Sequence, residues 1–210
     1  MKNTYDLILF DLDGTLLDTS PGIFNSVRYA EEMMGFSRVS DVMLPGFVGP
    51  PPKVMYQKVY SVDEDTALQA ARFHREYSRE RAIYEAEVYS GIVGLLSTLK
   101  SSGYKLGVAT LKSQLIAEKM LCIHSLYSYF DCIVGMDAAE SLTKEDTIRI
   151  AMKSTNVINA VLIGDSLYDY EGAMATGIDF IGVLYGFGLS KKNNYLFPTA
   201  NTPMEILELL

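Results

Sequence analysis

The sequence predicts an α/β fold: a doubly wound parallel sheet with a small α-helical cap inserted after its first strand. Three observations lead there. Short, continuous apolar runs recur along the chain, as in strands buried on both faces. Segments of helical periodicity separate those runs, and strand–helix–strand succession implies right-handed crossovers and a parallel sheet. The interval from residue 20 to 85 breaks this alternation and holds helix patterns only.

In chain order, "YDLILF" is the first run and reads as a central strand. Ser20-Pro21 then marks a helix start, and Ile23, Val27, Ala30 and Met34 recur at helical spacing. "LPGFVGPPPKV" is expected to be loop or turn throughout, because of its prolines and glycines. Val54, Met55 and Val59 follow it as anchors for a helix, and Phe73, Tyr77 and Tyr84 form a further stripe. Ile92, Leu95, Leu96 and Leu99 then mark one helix face, which stops at Gly103. The later strands are "YKLGVAT", "DCIVGM", "AVLIGD" and "DFIGVLY", with Ile148, Ala151 and Met152 on the helix before the third of these. The expected organisation is a Rossmann-like core of residues 1–16 and 86–210, with a helical cap of residues 17–85. Such sheets bind ligands at the carboxyl ends of their strands.

Composition narrows the function classes. Hydrophobic residues at 49% and charged residues at 21% describe a globular chain rather than a disordered one. No apolar run approaches the ~20 residues that cross a bilayer, so no membrane partner is expected. "MKNTYDLILFDLDG" has too short an apolar stretch for a signal peptide and reads as a strand, so a cytoplasmic location is expected. The net charge is −8, and no block of lysine or arginine offers a face to nucleic acid. Cys122 and Cys132 read as buried free thiols, His74 and His124 as structural, and Arg72, Arg75, Arg79 and Arg81 as a solvated helix face. Nothing in the sequence signals an oligomeric state.

The chemistry collects at strand ends. Asp11 and Asp13 follow the first apolar run directly, with Asp18 close behind, and clustered carboxylates repel unless something compensates. Thr110, Lys144, and Asp165 with Asp169 fall at the same edge of the predicted sheet. Singly, each aspartate is a helix cap, the threonine a turn residue and the lysine a solvated helix start. Together they have a logic. Asp11, Asp165 and a backbone carbonyl near Asp13 make a hard oxygen site suited to Mg2+, and the cation neutralises the cluster. Lys144 and the Thr110 hydroxyl suit phosphate oxygens. Backbone N–H groups of Leu12, Asp13 and Leu111 complete a cradle, with Gly14 permitting the tight turn. An ionised aspartate there is a nucleophile, and Asp13 reaches the leaving oxygen as acid and later activates water as base.

These residues carry a resemblance. "DLDGTLLDTS", the threonine in "GVATLK", the lysine in "LTKED" and "IGDSLYD" resemble the four motifs of the haloacid dehalogenase superfamily of phosphohydrolases, over nearly the whole chain. "GFVGPPPK", "EVYSGI" and "GIDFIGVLYGFG" resemble its phosphoglycolate-phosphatase-like branch, which hydrolyses small phosphomonoesters with Mg2+. The resemblance implies Asp11 as nucleophile and Asp13 as acid and base. It implies phosphate held by Thr110 and Lys144, and metal held by Asp11, Asp13, Asp165 and Asp169, the last directly or through water. Lys53, in the "PPPK" loop, is a candidate for contacting an anionic group of the substrate beyond the phosphoryl, against the alternative of a solvated loop lysine. Three departures stand out: Glu145 and Ser90 replace prolines, and Leu111 replaces a small polar residue. Lys112 lies close enough to Thr110 to rival Lys144 for phosphate.

The expected function is therefore an Mg2+-dependent phosphatase acting on a small phosphorylated metabolite through an aspartyl-phosphate. A sugar phosphomutase also keeps both aspartates and is the alternative. Dehalogenases and phosphonatases do not need Asp13, and a non-catalytic binder would be expected to lose one of the polar elements. Nicotinamide chemistry has no glycine-rich fingerprint to support it.

Overall fold

The computed structural model describes residues 5–139 and 141–210. The chain forms two compact units, one from the segment up to Asp18 together with Val88–Leu210, the other from Thr19–Glu87. The first four residues of the expected core lie outside the described residues. The strands are β1 (Leu7–Phe10), β2 (Leu17–Asp18), β3 (Glu87–Val88), β4 (Lys105–Ser113), β5 (Cys132–Met136), β6 (Ala160–Gly164), β7 (Asp179–Val183) and β8 (Thr199–Ala200). Helices α1 (Ser20–Met34), α2 (Pro52–Tyr60) and α3 (Glu64–Glu80) belong to the inserted unit. The first unit carries α4 (Ile92–Ser101), α5 (Gln114–Ile123), α6 (Lys144–Thr155) and α7 (Leu167–Thr176).

Six strands form one parallel sheet in the order β5-β4-β1-β6-β7-β8. This is the doubly wound, Rossmann-like α/β architecture. β1 is central, with Phe10 level with Val108 on one side and Ile163 on the other. Its four residues are fully buried, which is why it reads as an unbroken apolar run. The chain steps outward from β1 to β4 and β5, then returns to place β6 on the opposite side. Connections therefore leave β1 and β6 in opposite directions, and the carboxyl ends of these neighbours form the crevice where such sheets bind ligands. On α4, Ile92, Leu95, Leu96 and Leu99 are buried as their spacing predicts, and Gly103 takes the left-handed conformation after the helix. β2 and β3 pair where the chain leaves and re-enters the first unit.

β4 does not end at Thr110. It continues to Ser113, with an irregularity between Ala109, which faces Val134, and Ser113, which faces Met136. The β4 side of this interval is longer than the β5 side, so residues 110–112 bulge out of the ladder. Bulges re-aim side chains and release backbone groups from pairing.

The inserted unit packs Val27 and Ala30 of α1 with Ala67, Ala70 and Ala71 of α3 around Tyr56, Phe47 and Leu44. Glu31 is buried there, fully partnered by Arg28, the Val39 N–H and the Tyr60 hydroxyl. His74 is also buried, 3.2 Å from the Tyr56 hydroxyl, and serves the core as expected.

Several expectations need correction. "LPGFVGPPPKV" is partly helical: Asp41–Phe47 forms a 3-10 helix that contains Pro45, and α2 starts at Pro52. Proline suits a first helical turn because its missing N–H would have no intrahelical partner there. Lys53 thus stands in the first turn of α2 rather than on a loop, and Val54 is half exposed rather than an anchor. Tyr84 is exposed in a 3-10 turn beyond α3, so the stripe of Phe73 and Tyr77 does not extend to it. Cys122 is exposed and Cys132 only half-buried, although both are free. Cys122 lies on α5 away from the buried face of Ile116, Ala117, Met120 and Leu121. Among the described residues, no helix is long and apolar enough to cross a membrane.

Candidate active site

The site begins where β1 ends. Asp11 remains in the ladder, its N–H donating to the Ile163 carbonyl at 2.9 Å, and then the chain turns. The Leu12 carbonyl accepts from Leu16 and Leu17 N–H groups, closing a tight loop. Gly14 has φ +77°, and a Cβ there would collide with the Asp165 carboxylate. Glycine thus serves both the turn and the close approach of two strand ends.

Asp165 follows β6 directly. Its Oδ2 accepts from the backbone N–H groups of Phe187 (2.6 Å) and Gly188 (3.1 Å), in the segment after β7. Asp169 is set by a helix cap: its Oδ2 accepts from the Ser166 N–H at 3.0 Å and the Ser166 hydroxyl at 2.6 Å. The Ser166 hydroxyl in turn accepts from the Asp169 N–H, completing a capping box at the start of α7. That leaves Asp169 Oδ1, which meets Lys144 Nζ at 2.6 Å. Lys144 opens α6, also behind a capping box, and reaches Asp11 Oδ1 at 2.7 Å. Gly172 of α7 makes room for the lysine stem, since a Cβ there would lie 2.6 Å from Lys144 Cγ.

Electrostatics define what this cluster needs. Asp11, Asp165, Asp169 and Lys144 are all buried, and among the described residues the three carboxylates are accompanied by one ammonium, which pairs with Asp11 and Asp169 but not with Asp165. Burial pushes Asp11 up to about 6, with Lys144 opposing the shift and Asp169 adding to it. Burial, with Asp169 and Asp11 nearby, pushes Asp165 up to about 7 despite the two backbone donors. Burial acts to lower the Lys144 ammonium, but the two aspartates outweigh it and hold the lysine above its usual range. Oxygen atoms of Asp11, Asp165 and Asp169 lie within 4.8 Å of one another. A buried all-oxygen donor set with excess negative charge fits a hard divalent cation, and such an ion keeps its ligands ionised.

Asp13 is held separately. Lys112 Nζ lies 3.0 Å from each of its carboxylate oxygens. Thr110 is buried on the bulge, and its hydroxyl accepts from the Lys112 N–H at 3.2 Å. The two candidate lysines therefore divide: Lys144 enters the buried carboxylate cluster and Lys112 pairs with Asp13. Leu12 is fully buried as a side chain, so it presents only its backbone, whereas the Leu111 side chain is partly exposed on the bulge. Lys53, in the inserted unit, pairs with Glu64 at 2.6 Å. Sequence reasoning missed Ser166, the Phe187 and Gly188 amides, and Tyr185, whose hydroxyl donates to the Thr15 carbonyl at 3.1 Å. Ser166 was available as a capping-box signature three residues before Asp169. The amides carry no side-chain signal at all.

The family described as haloacid dehalogenase-like hydrolase matches residues 8–183. The chain belongs to that family. It is 36% identical to a 5'-nucleotidase of Pseudomonas aeruginosa over 88% of this chain and 85% of that one. It is 30% identical to the tyrosine-protein kinase PtkA of Mycobacterium tuberculosis over 97% of this chain and 72% of that one. Its relatives also include proteins named phosphoglycolate phosphatase, from Colwellia psychrerythraea and Agrobacterium fabrum. Among solved structures, a predicted phosphatase from Clostridium acetobutylicum superposes with a TM-score of 0.87 at 39% identity, covering 98% of this chain and all of that one. The family member described here is a phosphatase, as the resemblance of its motifs implied.

Proposed function

We propose that this phosphatase hydrolyses a small phosphomonoester metabolite through a phosphoryl group carried on Asp11, in the manner of phosphoglycolate phosphatases. One observation supports this most: two aspartates two residues apart have been given different environments. Asp11 stands in the buried cluster with Lys144, and Asp13 stands outside it, paired with Lys112. Carboxylates separated in this way take different roles.

Asp11, Asp165, the Asp13 carbonyl and, directly or through water, Asp169 would hold Mg2+, which when bound neutralises the cluster and polarises phosphoryl oxygens. A carboxylate oxygen of Asp11 attacks phosphorus as the bond to the ester oxygen breaks. Asp13, in its protonated form, delivers its proton to that departing oxygen and is left as the carboxylate. It then takes a proton from the water that attacks the phospho-aspartate, which releases inorganic phosphate and restores Asp11. Lys144, the Thr110 hydroxyl and the Leu12 and Leu111 N–H groups hold the phosphoryl oxygens as charge develops. Asp169, anchored by Ser166, keeps Lys144 extended toward Asp11. Lys53 reads an anionic group of the substrate beyond the phosphoryl.

A panel of phosphorylated metabolites, assayed for phosphate release with Mg2+ and with a chelator, tests the reading. Hydrolysis that needs Mg2+ and falls by several orders of magnitude in Asp11→Asn is expected. An Asp11→Asn variant close to wild type would remove the nucleophile. Isomerisation of a sugar phosphate, or transfer to tyrosine, without phosphate release would overturn hydrolysis as the reaction.

A further inference from the structure

We propose that Lys112 is a positioning residue for Asp13, and that it acts on the reaction through that carboxylate rather than by binding phosphate. The inference rests on the proton-transfer role given to Asp13 above.

Lys112 Nζ is equidistant from both Asp13 oxygens, at 3.0 Å, so the ammonium straddles the carboxylate rather than touching one edge. The two side chains are only 15% and 21% exposed. A pair so shielded is weakly screened, unlike surface ion pairs that contribute almost nothing. The backbone is built to present it. The β4 bulge lies at residues 110–112, and the Thr110 hydroxyl ties down the Lys112 N–H. Asp13 sits in a turn of small and apolar neighbours, Leu12 and Gly14, which offer its carboxylate no hydrogen-bonding side chain. A side chain that as carboxyl must hand a proton to a leaving oxygen, and as carboxylate take one back from water, has to lie within about 3 Å of each. An unrestrained side chain visits that geometry for only part of the time, and misplacement by about 1 Å costs as much as 100-fold.

The competing role, a second lysine on the phosphate, makes different demands. Such a lysine would act independently of Asp13 and would support ground-state binding. Lys144 already supplies the ammonium beside Asp11, and Lys112 has no contact with that cluster among the ion pairs of the described residues.

A double-mutant cycle separates the two. Asp13→Asn, Lys112→Met, Lys112→Arg and Asp13→Asn with Lys112→Met are compared with wild type, with Mg2+, on an alkyl phosphate and on p-nitrophenyl phosphate. The aryl ester needs little protonation of its leaving group. Lys112→Met is expected to lower kcat about 10-fold or more on the alkyl ester, with KM within about 2-fold, and to lower kcat/KM, which excludes the shared water attack, far less on the aryl ester. In the Asp13→Asn background the same change should alter kcat by less than about 2-fold. Lys112→Arg, which can span both oxygens, should restore most of the loss. Additive losses, or a rise in KM alike for both esters, would assign Lys112 to phosphate and overturn the proposal. So would a Lys112→Met variant, or Lys112→Gln if the first fails to fold, that behaves as wild type. The single Asp13→Asn variant checks the premise: if it lowers kcat/KM, which reports the leaving-group step without the later water attack, equally for both esters, Asp13 is no proton donor and the role of Lys112 falls with it.

Discussion

Removing divalent cations should make the folded state lose stability as pH rises from 5 to 8. The perturbation is chelation, which leaves Lys144 as the only cation paired with the buried aspartate cluster among the described residues. Asp11 is pushed up to about 6 and Asp165 to about 7, both from 3.8. A carboxyl with a raised folded pKa binds its proton more tightly in the folded state. Its penalty is absent below the unfolded value, grows as pH rises toward the folded value, and is complete above it. Between pH 5 and 8, linkage at about 1.4 kcal/mol per pH unit yields a loss of about 1 kcal/mol from Asp11 and about 3 kcal/mol from Asp165. Each figure includes repulsion between the two, so the joint loss is about 3 kcal/mol. With a urea dependence of about 2 kcal/mol per molar, the unfolding midpoint should fall by about 1.5 M. Urea titrations at several pH values, with EDTA and with saturating Mg2+, measure this. Mg2+ should raise the midpoint most at pH 8 and flatten the trend, because binding the ionised site stabilises the folded state. Asp165→Asn should flatten it in EDTA. A midpoint in EDTA that is constant or rises over this range, or a slope unchanged by Mg2+, would refute the electrostatic account of the cluster.

Two further outcomes are specific to single residues. Gly172→Ala should lower kcat by more than about 10-fold with a modest change in melting temperature, because the new Cβ would lie 2.6 Å from Lys144 Cγ and displace the ammonium from Asp11; wild-type kinetics in that variant would show that Lys144 tolerates the shift. Lys53→Ala should reduce kcat/KM by about 10-fold for the natural substrate, the value of one charged contact, and hardly alter hydrolysis of a small uncharged aryl phosphate. An equal response of both substrates, or of neither, would leave Lys53 to its pair with Glu64.

Much of this molecule was legible in local sequence. Unbroken apolar runs identified β1, β4, β5, β6 and β7 because strands covered on both faces tolerate no polar alternation. Periodicity identified α1 and α4, and the order of elements implied the parallel sheet. Asp11, Lys144, Asp165 and Asp169 stand out in the sequence because polar residues immediately after buried strands, or at helix starts, lie at the ligand-binding edge. Local pattern failed where backbone chemistry and packing decide. Proline reads as a breaker, yet it opens α2, since a first helical turn has no N–H to lose. Thr110 reads as a strand end, yet the strand continues through a bulge to Ser113.

The division between Lys112 and Lys144 shows most clearly what sequence determined and what it left to tertiary structure. Both lysines were visible as candidates for one anion, because charge and position near a strand end are properties of single residues. Which partner each takes depends on distances between segments far apart in the chain. Lys144 meets Asp11 across 133 residues and Lys112 meets Asp13 across 99. Those encounters follow from the placing of β4 and β6 beside β1, from a bulge that turns Lys112 toward Asp13, and from a glycine on α7 that admits the Lys144 stem. Residue types and their order thus determined the chemical inventory. Sheet order and close packing assigned it, because an ion pair's strength falls with separation and separation is set only when the strands are side by side.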